Sequence, residues 1–148
     1  MNESTEQLRD TIESFPLFEH LSDEWIADLA DHSELRRYNA DDTVIREGDS
    51  EQDRLYLILE GEARVWTRSP KGKVHLETLG EGDYFGEVSL LSDKVATATV
   101  EAESEFLGLL SIEREGLLPV VEDDQRVRER LEGMTLERAR DTIGKVME

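Results

Sequence analysis

The residues best suited to chemistry lie in one run, Gly80-Glu81-Gly82-Asp83-Tyr84-Phe85-Gly86-Glu87-Val88-Ser89-Leu90-Leu91. Gly80 and Gly82 permit tight turns, and Gly86 lets the backbone approach a ligand with no side chain in the way. If Glu87 to Leu91 wind into one helical turn, the amides that follow Gly86 point outward and can receive a phosphate. Glu87 then serves better as an acceptor for ribose hydroxyls than as a neighbour of phosphate, whose charge it repels. The same run also reads as plain scaffold, with Gly86 making a turn and Phe85, Val88 and Leu91 burying its apolar side.

Other chemistry finds little support. His20, His32 and His75 are dispersed and lack metal-ligand spacing, and Ser89 does not sit in a Gly-x-Ser-x-Gly nucleophile elbow. There is no cysteine, which excludes a disulfide framework and a thiol nucleophile. Carboxylates are so abundant that closeness in sequence nominates no catalytic pair. The expectation is a non-enzyme with no catalytic residue, no metal and no resident cofactor.

The elements that must position the run fall into three blocks of one 148-residue domain, 1–33, 35–111 and 112–148. The first is helical, with Leu8 and Ile12 four apart and Trp25, Ile26, Leu29 and Ala30 following Leu21. Phe15, Pro16, Leu17 and Phe18 interrupt it, and Ser22 caps the second helix ahead of Asp23 and Glu24. The middle block holds short β-prone runs: Leu35 to Tyr38, Thr43 to Arg46, Leu55 to Leu59, Ala63 to Arg68, Val74 to Leu79, Thr97 to Ala102 and Phe106 to Leu110. Turn residues such as Gly48-Asp49-Ser50 and Ser69-Pro70-Lys71-Gly72 divide them, a pattern for a barrel or sandwich and not for alternating strands and crossover helices. Ala63, Val65 and Thr67 fall on one side of their strand, with Arg64, Trp66 and Arg68 on the other. Trp66 reads as a packing residue before a ligand platform, and Tyr56 is open to both readings.

The third block is helical again. Val127, Leu131 and Met134 and then Ala139, Ile143 and Val146 repeat spacings of four and three. Gly133 predicts a break, and Thr135 a fresh cap, so a kinked helix pair is expected. Glu122-Asp123-Asp124-Gln125 reads as a joint or helix start.

Charge narrows the partners. The chain has 36 acidic and 17 basic residues, a formal charge of -19. Such a field repels nucleic-acid phosphates and anionic membranes. Arg126, Arg128 and Arg130 point around a helix and are diluted by Glu129 and Glu132, so no basic face forms. No apolar run is long enough to span a bilayer, and the N-terminus lacks the basic and apolar regions of a secretory signal. A cytoplasmic location, no direct nucleic acid and no membrane are the expectations.

With these residues in view, the chain resembles the cyclic nucleotide-binding domain family, a β-roll found in cyclic-AMP-dependent kinases, gated channels and bacterial transcription regulators. The resemblance spans roughly Phe15 to Leu131. It rests on Phe18 with Leu21-Ser22, Gly48 beside Asp49, Leu55 through Ala63, Gly82 through Leu91, and Ala98-Thr99-Val100. It implies a mainly β fold, a double-stranded β-helix or jelly-roll-like β-roll with N- and C-terminal helices. It also implies that Gly86 and the amides around Val88 and Ser89 face a cyclic phosphate, while Glu87 meets the ribose 2′-hydroxyl.

About nine residues after this Glu the family carries an Arg that pairs with the phosphate. Here the position is Ala96, in Ser92-Asp93-Lys94-Val95-Ala96-Thr97. Ala offers neither the charge nor the planar donor fork of Arg. Thr97 retains a hydroxyl and Lys94 can supply a cation from the same loop. The reading favoured by these residues is a non-catalytic cyclic-nucleotide-binding-like sensor with altered or lost affinity. The alternatives are a ligandless domain for protein interaction, or a conventional cyclic AMP or cyclic GMP regulator with substitute phosphate contacts. The resemblance further implies a C-terminal lid, for which Leu131, Met134, Leu136 and Ile143 are candidates. An effector protein, a small anionic ligand and a homodimer through the C-terminal helices are the partners to consider.

Overall fold

The computed structural model describes residues 3–50, 52–87 and 95–147. The chain opens with α1 (Glu3–Ser14), a 3-10 turn (Pro16–Phe18) and α2 (Asp23–Asp31). Eight strands follow: β1 (Ser33–Asn39), β2 (Thr43–Ile45), β3 (Arg54–Glu60), β4 (Ala63–Ser69), β5 (Gly72–Leu79), β6 (Tyr84–Phe85), β7 (Thr99–Ala102) and β8 (Phe106–Glu113). Two helices close it, α3 (Arg114–Asp123) and α4 (Gln125–Val146). The strands form two antiparallel four-stranded sheets, ordered β1-β8-β3-β6 and β2-β7-β4-β5, a layered arrangement of the kind the turn spacing predicts and the β-roll that the resemblance implies.

Side-chain parity along β3 and β8 explains how one sheet serves two cores. Leu55 and Leu57 oppose Ile112 and Leu110 and pack against Ile12, Phe18, Leu29, Leu117 and Leu131 of the helices. Tyr56 and Ile58 point the other way, into the roll, with Leu109, Val65, Leu79, Phe85 and Val100. Successive side chains alternate faces, so a strand covered on both sides must be apolar throughout. That is why Leu55 to Leu59 is a continuous apolar run, while β4 keeps the predicted alternation, burying Ala63, Val65 and Thr67 and leaving Arg64, Trp66 and Arg68 outward.

The helices show where local signals prevail and where tertiary packing overrides them. Ser22 accepts a hydrogen bond from the Trp25 amide at 3.3 Å and caps α2 as its sequence predicts. Phe15-Pro16-Leu17-Phe18 forms the buried 3-10 turn. The expected break at Gly133 does not occur. Instead α4 runs unbroken from Gln125 to Val146, and the joint falls at Asp124, whose carboxylate caps the Val127 amide at 3.1 Å. A glycine inside a helix costs only about 1 kcal/mol relative to alanine, which packing of the neighbouring turns outweighs. Thr135 starts no new helix; its hydroxyl donates to the Leu131 carbonyl at 3.0 Å. Strand β6, two residues long, lies in the glycine-rich run and pairs Tyr84 and Phe85 with Leu57 and Tyr56 of β3.

Candidate functional site

Pairing with β3 fixes the start of the glycine-rich turn. Phe85 stacks on Tyr56 with ring centroids 5.1 Å apart, which makes Tyr56 a core residue. Gly86 then adopts φ +97°, a conformation that favours glycine. A Cβ there would also collide with the Arg54 carbonyl oxygen. Gln52 holds the turn from the side, its Nε2 donating to the Arg54 carbonyl at 2.6 Å and the Gly86 carbonyl at 3.2 Å. The need for glycine is thus met by packing against β3, before any ligand is considered. The turn delivers Glu87 into the roll, where its carboxylate is 2% exposed.

The segment before β7 forms the opposite wall. Gly48 N–H donates to the Ala96 carbonyl at 2.8 Å, and Ala96 N–H donates to the Asp49 carbonyl at 3.0 Å. The Ala96 methyl is buried against the roll cluster, whereas Thr97 is exposed on the cavity wall. A cavity lies between these walls with about 610 Å³ of empty space, its mouth included. Ile45, Val65, Leu76, Leu79 and Val100 form its apolar floor.

Helix α4 covers the mouth with Arg138, Asp141 and Thr142. The Arg138 Nη1 donates to the Glu87 carboxylate, and its Nη2 donates to the Tyr84 carbonyl at 2.7 Å. Its Nε lies 3.3 Å from Glu77 Oε2, close enough for ion pairing but out of line for a hydrogen bond, and is buried without a hydrogen-bond partner. Two turns further on, Lys145 donates to the Leu76 carbonyl and pairs with Asp141 at 3.0 Å. Tyr84 flanks the arrangement, its hydroxyl donating to the Arg130 carbonyl at 3.3 Å. Burial, reinforced by the nearby Glu87 charge, pushes the Tyr84 phenol up to about 12.

The residues singled out in sequence divide accordingly. Gly86, Glu87, Ala96 and Thr97 line one cavity. Val88, Ser89 and Lys94 lie outside the described residues. The structure places the lid candidates away from the cup. Leu131 is buried in the helix core, and Met134 lines a separate groove with Pro16 and Leu17. Leu136 and Ile143 are 52% and 61% exposed, because they lie on the side of α4 turned away from the roll. The side chains that reach the cup are Arg138, Asp141 and Thr142, with Gln52 and Glu77 opposite, none of which stood out in the sequence. A signal was nevertheless available: Arg138 follows buried Leu131 by seven residues, two helical turns, so both share a face.

The fold and the cup together define a β-roll binding module closed by a C-terminal helix. The family model for the cyclic nucleotide-binding domain matches residues 35–124, and the chain belongs to that family. Human cGMP-dependent protein kinase 2 is 32% identical over 139 residues, covering 92% of this chain but 18% of the kinase. The shared part is the nucleotide-binding type of domain and not a catalytic one. The Thermus thermophilus catabolite activator protein is 28% identical with a TM-score of 0.71, covering 86% of this chain and 59% of that one. The regulatory subunit of a cAMP-independent protein kinase A from Trypanosoma brucei is 26% identical with a TM-score of 0.66, covering 82% of this chain and 47% of that one. The chain therefore spans about half the length of these solved relatives and a fifth of the kinase. Among the described residues no helix is long and apolar enough to cross a membrane, and no cluster of three metal-ligating side chains occurs.

Proposed function

We propose that this chain is a regulatory module that binds cyclic AMP or cyclic GMP through substitute phosphate contacts and passes occupancy on through α4. The observation that carries this reading is the single cavity enclosed by the Gly86-Glu87 turn, the Ala96-Thr97 wall and the Arg138 face of α4. Glu87 is a buried carboxylate suited to accept from ribose hydroxyls, and the apolar floor suits a base. The relatives, named as cyclic-nucleotide-dependent kinases, support a conventional regulator more than a ligandless one. Ala96 removes the arginine fork, so affinity falls below that of an arginine-bearing domain.

A ligand that hydrogen-bonds Glu87 competes with Arg138 for that carboxylate. Occupancy thereby acts on α4, whose position an effector protein can read, provided the ligand favours one of two arrangements. Titration calorimetry of cyclic AMP and cyclic GMP into the purified chain tests the reading: saturable one-to-one binding is expected. Absence of heat and of any thermal stabilisation up to millimolar ligand would overturn it.

The ligandless reading is favoured by one observation. Glu87 is already paired with Arg138, so the carboxylate that would meet a ribose has a charged partner without any ligand. The relative named as a cAMP-independent kinase subunit shows that the fold alone does not dictate a cyclic AMP response. The same titration separates the two.

A further inference from the structure

We propose that Arg138 is the phosphate-binding arginine of this cup, supplied by the lid helix in place of the one that Ala96 does not provide. The inference rests on the cyclic-nucleotide reading above. A guanidinium carries five N–H donors in a planar fork. Two hydrogen bonds hold Arg138, to Glu87 and to the Tyr84 carbonyl, and its Nε is buried without a hydrogen-bond partner among the described residues. Arg138 therefore has donor capacity that these two hydrogen bonds leave unused, and an anionic oxygen is the acceptor that suits a guanidinium best. Arg138 lines the cavity together with Gly86, Ala96 and Thr97.

The short side chain of Ala96 and the reach of Arg138 are complementary. A methyl at Ala96 leaves open volume in the cavity that Arg138 lines from the α4 side. When a ribose hydroxyl donates to Glu87, Nη1 can turn from that carboxylate to the phosphate while Nη2 stays on the Tyr84 carbonyl. Glu77 remains beside Nε, so the added anion meets a flanking carboxylate, which limits affinity. Placing the cation on α4 has a mechanistic consequence. Phosphate recognition then requires α4 to stay over the mouth, whereas an arginine on the roll would hold phosphate with the lid open.

The test is a calorimetric series with cyclic AMP on the wild-type chain, Arg138→Gln, Arg138→Lys and the double variant Ala96→Arg/Arg138→Gln, with thermal melts as a control on folding. Loss of a charge-assisted fork predicts about a ten- to hundredfold weaker affinity for Arg138→Gln. Arg138→Lys should fall between, since it keeps the charge and loses the fork. The double variant should recover most of the loss, because the roll then carries its own arginine. If the wild type binds and a folded Arg138→Gln binds equally well, Arg138 is no phosphate ligand, while the cyclic-nucleotide reading stands. Failure of the double variant to recover affinity likewise overturns the phosphate role, leaving Arg138 a support for Glu87. If Arg138→Gln does not fold, unchanged affinity in Arg138→Lys overturns the proposal. No binding by the wild type overturns both readings together.

Discussion

Two arginines of this chain are each surrounded by acids, yet they do opposite things. On the outer face of the β2-β7-β4-β5 sheet, Arg64 donates to Asp41 at 2.6 Å, Glu101 at 2.9 Å and Glu103 at 3.0 Å. All three of its nitrogens are engaged, and Trp66 Nε1 adds a fourth contact to Glu101 at 2.8 Å. In the cup, Arg138 also faces carboxylates, but its hydrogen bonding is incomplete, with Nε unsatisfied, and the residue lines an open cavity. The first cluster is closed and ties β4 and β7 to the turn between β1 and β2; the second has capacity left over. Acid-rich surroundings alone therefore do not distinguish a structural arginine from a binding one. The count of engaged donors and the adjacent space do.

The comparison can be broken most forcefully from the opposite wall of the cup. Ala96→Arg should raise cyclic AMP affinity by about ten- to a hundredfold, since it restores a fork worth roughly 1.5–3 kcal/mol per charged hydrogen bond. Calorimetry at controlled salt checks this, and no gain in a folded variant would count against Ala96 as the position of the missing contact. Gly86→Ala should cost about 2 kcal/mol of stability, because the left-handed backbone and the Arg54 carbonyl both oppose a Cβ. Denaturant unfolding would reveal it; an unchanged midpoint would show that the turn tolerates a side chain.

Smaller effects sharpen the contrast. Arg64→Gln should lower stability by about 1 kcal/mol, the scale of a partly exposed network, and leave ligand affinity unchanged. A change in affinity with no change in stability would erase the distinction drawn between the two arginines. The pH limits read the two clusters separately. Although burial opposes it, hydrogen bonds from Arg64 and Trp66 hold Glu101 below its ordinary value of 4.5. Its contribution is present above that value and is lost as pH falls through the lowered one, so Glu101→Gln should flatten the acid side of a melting profile. Tyr84 behaves in the other sense. Its folded value of about 12 lies above the ordinary 10, so its contribution is intact below pH 10 and is lost as pH rises toward 12. Tyr84→Phe should lessen the alkaline decline, with melts between pH 9 and 12 as the measure.

Much of the fold was legible because its signals are local. Turn residues bound the strands, Ser22 caps α2, and alternation along Ala63 to Thr67 follows the pleat. Strand β6 escaped because two residues carry no period, and Gly133 misled because packing along α4 outweighs a modest helix penalty. The site was legible only on the roll side. Gly86, Glu87 and Thr97 announce themselves by type and spacing within the family pattern. Arg138 comes from 51 residues beyond Glu87 and sits among ordinary helical charges, Glu137, Arg140 and Asp141. Its role depends on how α4 folds back across the roll, a contact that no local pattern encodes.

The central claim, that the lid helix supplies the cation that Ala96 does not, is tested most directly by a crystal structure of the chain with cyclic AMP. The account predicts the Arg138 guanidinium about 2.7–2.9 Å from a phosphate oxygen, with Glu87 accepting from the ribose and α4 closed. A bound nucleotide whose phosphate is held by other groups, with Arg138 still on Glu87 or α4 swung away, would contradict it.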